Sequence, residues 1–426
     1  MTPELLSLLR TPEGAEALAV AAEVGDAEPL AAASAVRARG IGAELSAAAL
    51  TQASLRGRAA CKFGPDAARM FFSRAGLEQA TRAVVADRRA ARLAAAGVRS
   101  LTDLGCGLGS DAFAAARQGI RVHAVDADPL TAALAAANAE ALGLGELITV
   151  ECADATTVEV ERYDAVFADP ARRQAGRGRV FDPKSYSPPW DFVAALPGRV
   201  PRTVLKLAPG IDHGLLPPGA EGEWVSVGGD LVEAAFWCGP LAGAPRRATL
   251  LGSRMGSGAA AGGAGVGATG AGTTGAGTGV AGAGVVGAGA GVAELTGSGF
   301  VAAPVGPVGA YLYDPDPAVV RSHLVAEFAA SVGGWLGDPQ IAYVYTDEPV
   351  DTPFARRLEV TDVLPFSLKR LRALLRDRGI GRLEIRKRGS ALVPDQLRKE
   401  LRLSGPHGAG LVLTRVADAP TVLLCR

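Results

Sequence analysis

Residues 100–113 read SLTDLGCGLGSDAF, and the reading of this stretch decides the fold. Its first part is a short apolar run ending on Asp103, as a buried strand ends. From Ser110 the pattern turns helical and continues through Ala112 to Arg117. Between the two stand Gly105, Gly107 and Gly109. Glycines here let the backbone turn tightly and let a ligand approach it closely beside a helix N-terminus. A strand, a glycine turn and a helix in this order open a doubly wound α/β sheet.

The pattern continues outward from that turn. Apolar runs follow at IRVHAVD (120–126), LITVECAD (147–154), DAVFAD (164–169), TVLKLAP (203–209), EWVSVGG (223–229), and then AAFWCG (234–239) or RRATLL (246–251). Helical stretches separate the earlier ones, notably Pro129 to Leu142. Alternation of this kind predicts an α/β fold with a Rossmann-like, mostly parallel sheet over residues 96–255. Residues 1–95 read as a helical N-terminal region, where Thr2 and Thr11 each stand before a proline as helix caps. Residues 256–292 contain glycine, alanine, serine, threonine and valine without one charge. Such a stretch cannot bury enough side chain to offset its ordering entropy, so 256–299 is expected to be a disordered linker or insertion. A smaller C-terminal α/β domain is expected over 300–426. Its predicted strands are AYVYTD, RLEIRKRG, GAGLVLTRV and PTVLLCR, and its predicted helices SLKRLRALLRDRG and VPDQLRKELRL.

Four of the strands of the central sheet end on an acid. Asp103 closes the first, Asp126 the second, Asp154 the third and Asp169 the fourth. Ligands of open α/β sheets bind outside the carboxyl ends of the strands, so the four converge on one crevice. Any one of them alone reads as a cap or turn residue; the set in strand order is the specific signal. A carboxylate at the tip of the second strand can accept both hydroxyls of a ribose. Asp103, two residues before the first glycine, suits an ammonium group better than a pyrophosphate, which weighs against NAD and for a cofactor with a cationic amino-acid part.

With these residues the chain resembles the class I S-adenosylmethionine-dependent methyltransferases over about residues 70–250. The resemblance implies that Asp103, Gly105, Gly107 and Gly109 hold the methionine part of S-adenosylmethionine, Asp126 the ribose and Asp154 the adenine amino group. Asp128 is a further candidate in the same strand tip. It also implies that Asp169-Pro170-Ala171-Arg172 lines the point of methyl transfer, with Asp169, Pro170 and Arg172 as catalytic candidates. Arg172 stands where base-amino methyltransferases carry an aromatic residue, which is closer to the D-P-P-R pattern of some RNA base methyltransferases, and Ala171 replaces the second proline. The stretch 61–93 resembles the segment that covers the cofactor in trimethylguanosine synthase and its relatives, with Phe71, Phe72, Ser73 and Gln79 in comparable places; Ser73 is counted among the cofactor contacts. The C-terminal block resembles the THUMP-like domain, which implies RNA docking.

Charge bears on the acceptor. The whole chain is balanced, with 44 basic and 44 acidic residues among 426, so local clusters must decide. Residues 171–206 hold eight Lys or Arg against two acids. Arg173, Arg177 and Arg179 follow the Asp-Pro motif directly, with Tyr186 and Trp190 beyond. Arginines interleaved with aromatics suit phosphate contact and base stacking. RNA is therefore the expected partner, methylated by direct in-line transfer. The alternatives are a small-molecule or protein acceptor, a non-catalytic RNA-binding module on a methyltransferase-like core, and an NAD-linked oxidoreductase.

The five cysteines are scattered without a C-x-x-C pair, and no two of the four histidines are neighbours. This argues against a disulfide framework and a metal site, and Cys238 reads as a core residue rather than a nucleophile. No glycine-free apolar run of 18 residues is present, and the start lacks the order of a signal peptide, so a cytoplasmic protein without a membrane anchor is expected.

Overall fold

The computed structural model describes residues 1–24, 28–172, 186–252, 284–289 and 291–426. The chain divides into two compact units. The first takes residues 1–207, 211–220 and 235–243, and the second takes 208–210, 221–234 and 244–426.

The first unit opens with six helices: α1 (Pro3–Leu9), α2 (Pro12–Glu23), α3 (Pro29–Arg37), α4 (Ala43–Phe63), α5 (Arg74–Gln79) and α6 (Ala83–Ala95). Both threonine caps form as expected. Thr2 Oγ1 accepts from Leu5 N and Thr11 Oγ1 from Gly14 N, each with proline at the first helical position. The sheet follows as β1 (Ser100–Leu104), α7 (Ser110–Arg117), β2 (Arg121–Asp126), α8 (Pro129–Ala141), β3 (Ile148–Cys152), β4 (Ala165–Ala168), the two-residue pieces β5 (Ala171–Arg172) and β6 (Tyr186–Ser187), α9 (Trp190–Arg199) and β7 (Thr203–Leu207).

The strands lie in the order β7-β4-β1-β2-β3, and every adjacent pair is parallel. The chain leaves β1 toward β2 and β3 and then returns to its other side with β4. That reversal is a topological switch point, where a crevice opens at the carboxyl ends of the strands. The register fixes which residues meet there: Leu104 pairs with Ala168, Leu104 also with Val125, and Asp126 with Cys152. The apolar interiors of these strands are buried, as strands covered on both faces require.

The second unit contains β8 (Glu221–Val227) and β10 (Arg246–Leu251), paired in parallel. β9 (Asp230–Trp237) starts in this unit and ends in the first. Both AAFWCG and RRATLL are therefore strands. β11 (Gly284–Gly289) and β12 (Val292–Gly297) correct the expectation of a linker running to residue 299. β12 pairs antiparallel with β10, burying Ala293 and Leu295 and pairing Glu294 with Arg247. The alternation that makes it a strand is only six residues long and follows directly on the Gly/Ala run, which hides it. Residues 253–283 lie outside the described residues.

Beyond it come β13 (Tyr311–Pro315), α10 (Pro317–Arg321), α11 (Val325–Ser331), β14 (Trp335–Leu336), β15 (Val344–Thr346), β16 (Ala355–Pro365), α12 (Leu368–Asp377), β17 (Ile380–Lys387), α13 (Pro394–Leu401), β18 (His407–Val416) and β19 (Ala419–Cys425). The strands form a seven-stranded sheet in the order β14-β15-β13-β16-β19-β18-β17. Leu371 and Leu375 of α12 and Leu397 and Leu401 of α13 bury against Leu383, Leu411 and Leu413. The four predicted strands of the block are all present; β16, with its many charges, gave no strand pattern. The compact unit reaches back before residue 300, because α10 packs on β8 and β10. Among the described residues no helix is long and apolar enough to cross a membrane.

The segment between α4 and α5 is tied down by two fully buried amides. Gln52 Nε2 donates to Phe72 O (2.7 Å) and its Oε1 accepts from Phe72 N (2.9 Å). Asn138 Oδ1 accepts from Phe71 N (2.7 Å), and its Nδ2 donates to Phe71 O (3.1 Å) and Leu108 O (3.3 Å). Truncating Asn138 to Ala leaves buried backbone groups unpaired, and each costs roughly 1–3 kcal/mol. Asn138→Ala is expected to destabilise the protein by about 3 kcal/mol, read as a lower denaturant midpoint with an unchanged slope.

Candidate active site

The glycine turn is built by positive backbone angles. Gly105, Gly107 and Gly109 have φ of +88°, +56° and +93°, a region that side chains disfavour. Gly105 N and Cys106 N both donate to Val125 O (2.9 and 3.0 Å), locking the turn to β2. A Cβ on Gly105 would stand 2.9 Å from the Asp169 carbonyl oxygen, and one on Gly109 2.3 Å from the Phe113 ring. The turn therefore depends on both glycines for close approach as well as for conformation.

Asp103 lies at the base of the turn with 1% exposure. Neither carboxylate oxygen has a hydrogen-bond partner among the described residues. Burial pushes its pKa well above the usual carboxylate range; Asp111 and Asp169 push it further, against the opposing charges of Lys206 and Arg89. Asp126, at the tip of β2, accepts from Gly107 N (3.1 Å) and Asp128 N (3.0 Å), while partial burial raises its pKa. Asp128 is occupied as the cap of α8, accepting from Thr131 N (2.8 Å) and Thr131 Oγ1 (2.6 Å). Asp154 caps the short turn after β3, accepting from Thr156 N and Oγ1, both at 2.8 Å.

Asp169 follows β4 and is held on both sides. Its N–H donates to Leu104 O (3.1 Å). Its Oδ2 lies 2.5 Å from Lys206 Nζ, which also donates to Thr81 Oγ1 (2.9 Å). Thr81 Oγ1 in turn donates to Asp111 Oδ2 (2.7 Å), and Asp111 Oδ1 is 2.9 Å from Arg89 Nε. The Arg89 guanidinium stacks over the Phe167 ring at 4.7 Å. Burial would raise the Asp111 pKa, but Arg89, Lys206 and the Thr81 hydrogen bond outweigh it and hold the acid below its ordinary value. Lys206, Thr81, Asp111 and Arg89 were not anticipated from the sequence. The single signal was a lysine in the apolar run TVLKLAP.

Ser73 caps α5 through a hydrogen bond from Gly76 N (3.0 Å), and the C-terminal end of α5 is capped by Lys62, whose Nζ donates to Leu77 O, Glu78 O and Ala80 O. Gly76 packs against Leu108 of the glycine turn, so this segment borders the turn. Ala171 and Arg172 pair with Ser187 and Tyr186 as a short ladder after the Asp-Pro motif. Tyr186 and Trp190, expected to face substrate, are buried at 3% and 9% exposure, with ring centroids 5.8 Å apart. Arg173, Arg177 and Arg179 lie outside the described residues. Cys238 is buried, with burial pushing its thiol up to about 12, as a core cysteine requires. Among the described residues no cluster of His, Cys, Asp and Glu could hold a metal ion.

Comparison with known proteins agrees with this geometry. A methyltransferase domain family matches residues 101–173, a THUMP domain-like family residues 355–426, and a domain family of unknown function residues 2–59. An uncharacterized S-adenosylmethionine-dependent methyltransferase of Mycobacterium tuberculosis is 34% identical over 387 residues, covering 87% of this chain and 94% of that protein. A crystal structure of a Porphyromonas gingivalis protein assigned as a methyltransferase superposes with a TM-score of 0.69 at 20% identity, over 96% of this chain and 98% of that one, which shows a shared fold.

The residues fit S-adenosylmethionine. The unpartnered carboxylate of Asp103 answers an ammonium group, the Cβ-free turn admits a chain along its backbone, and Asp126 stands where ribose hydroxyls can be met. Asp103 carries a consequence for pH. Its folded pKa is raised, so below that value the folded state binds more protons than the unfolded one, whose aspartate titrates near 3.9. Its contribution to stability of the cofactor-free protein therefore falls as pH rises from about 4 toward the raised value. Asp103→Asn is expected to flatten that dependence. At a pH below the raised value, an ammonium ligand paired with this carboxylate is expected to release a proton in the native chain and none in the variant, read by calorimetry in buffers of differing ionisation enthalpy.

Proposed function

Because the chain belongs to the S-adenosylmethionine-dependent methyltransferases, we propose that it methylates a nucleotide of RNA by direct in-line transfer. The bound cofactor supplies an electrophilic methyl group on a sulfonium sulfur. Asp103 takes the ammonium of its methionine part, the backbone of Gly105, Gly107 and Gly109 lines its path, and Asp126 takes the ribose hydroxyls. Asp154, at the end of β3, faces the adenine. Asp128 remains the cap of α8, and Ser73 borders the turn as the cap of α5.

The transfer end lies at Asp169 and Pro170. The carboxylate, anchored on Lys206, accepts a hydrogen bond from the group that receives the methyl, and proline fixes the backbone beside it. Catalysis comes from holding the acceptor in line, which accounts for several kcal/mol of barrier where geometry is well set. No cysteine is needed for a covalent step, and Cys238 is in the core.

The observation that carries RNA as acceptor is the THUMP-like match at residues 355–426. The arginines at 172, 173, 177 and 179, directly after the Asp-Pro motif, support the same reading as phosphate contacts.

Mass spectrometry of nucleosides from total RNA is expected to show one methylated nucleoside missing in cells without the protein. An unchanged nucleoside profile would favour a small-molecule or protein acceptor. Asp169→Ala is expected to leave S-adenosylmethionine affinity within about threefold and to abolish methyl transfer, whereas Asp126→Ala is expected to weaken cofactor affinity itself by roughly 10–100-fold, equivalent to about 1.4–2.7 kcal/mol.

A further inference from the structure

We propose that Lys206 is a positioning residue for methyl transfer: it pins the Asp169 carboxylate at the end of β4 and ties it through Thr81 to the buried Asp111–Arg89 pair. The proposal rests on the methyltransferase reading of the site and not on which molecule receives the methyl.

The argument begins with the location of the lysine. Lys206 is the one charged residue of β7, with its side chain only 13% exposed. A lysine ammonium in such a place requires partners that offset its desolvation. Its partners include Asp169 Oδ2 and Thr81 Oγ1. The geometry passes a constraint along a line: Arg89 on α6 holds Asp111 on α7, Asp111 accepts from Thr81, Thr81 accepts from Lys206, and Lys206 holds Asp169. The far end of that line is nearly solvent-free, with Arg89 and Asp111 exposed by 4% and 9% in their side chains. Asp169 is the most open member, at 34%. A partly open carboxylate beside the crevice is thus referred to a rigid interior anchor.

The charges around it give a second argument. Asp103 on β1, Asp111 on α7 and Asp169 lie close enough to influence one another, with only Lys206 and Arg89 opposing them within the group. Lys62 and Arg82 lie beyond, and Lys62 is committed to the carbonyls at the end of α5. Removing Lys206 takes away one of the two cations that oppose this cluster of acids, and with it the hydrogen-bonded partner of Asp169.

The test uses the full chain, with Lys206→Met and Lys206→Arg. S-adenosylmethionine affinity of each chain is read by calorimetry, and turnover separately. With tritiated S-adenosylmethionine and total RNA, Lys206→Met is expected to lower kcat by roughly 100-fold while S-adenosylmethionine affinity stays within about threefold, and Lys206→Arg is expected to recover part of the loss. An unchanged kcat in Lys206→Met, no recovery in Lys206→Arg, or kcat and cofactor affinity falling together would each overturn the proposal. A native chain that leaves total RNA unlabelled counts against RNA as acceptor, and the same three chains are then compared on total protein and on small-molecule extract, which separates failure of the RNA reading from failure of the lysine's role.

Discussion

Gly105 has no side chain, and the place a Cβ would take ends 2.9 Å from the carbonyl oxygen of Asp169. This contact, with the hydrogen bond from Asp169 N to Leu104 O, brings the ends of β1 and β4 together. Any larger residue at 105 would push the Asp-Pro motif away from the glycine turn and would also have to accept a left-handed backbone. At the switch point the glycine turn and the Asp-Pro motif are therefore set against each other by one steric constraint. The hydrogen bonds from Gly105 and Cys106 to Val125 extend that constraint to β2 and so to Asp126.

Around this contact the chain gathers more acid than it neutralises. Asp111 is satisfied by Arg89 and Thr81, and Asp169 by Lys206, but Asp103 is buried with no partner. An unpaired buried carboxylate costs stability unless it is protonated or meets a cation. Here the cost is concentrated on one carboxylate beside the glycine turn, and a cationic ligand there would relieve it. Sites that break the usual rule of satisfied burial are where function is expected.

The helical N-terminal region contributes through backbone capture. Gln52 on α4 and Asn138 on α8 each hold both the N–H and the carbonyl of a neighbouring phenylalanine, and Asn138 also reaches Leu108 in the glycine turn. These bonds fix the segment leading to Ser73 beside the cofactor end, although the residues are 20 and 67 positions apart in sequence. Two amides thus make the helices before β1 part of the site's support.

The order of strands, the glycine turn and the acids at the strand ends were legible in the chain itself, because each depends on local pattern: a period of two or an apolar run, a residue without Cβ, an acid closing a strand. By the same local logic the two threonine caps were readable. How each acid is partnered was not. Asp128 and Asp154 read like Asp103 in sequence, yet each gives one oxygen to a nearby threonine, Thr131 and Thr156, whereas neither oxygen of Asp103 has a partner among the described residues. The roles of Lys206, Thr81, Asp111 and Arg89 also came only from tertiary structure, since Thr81 and Lys206 are 125 residues apart and nothing local records that they meet. Tyr186 and Trp190 were sorted in the same way, into the interior. The sequence by itself determined the kind of sheet and where its crevice opens; the packing of distant segments decided which charges there are paired, because a charge's partner is set by proximity in space and leaves no periodic trace along the chain.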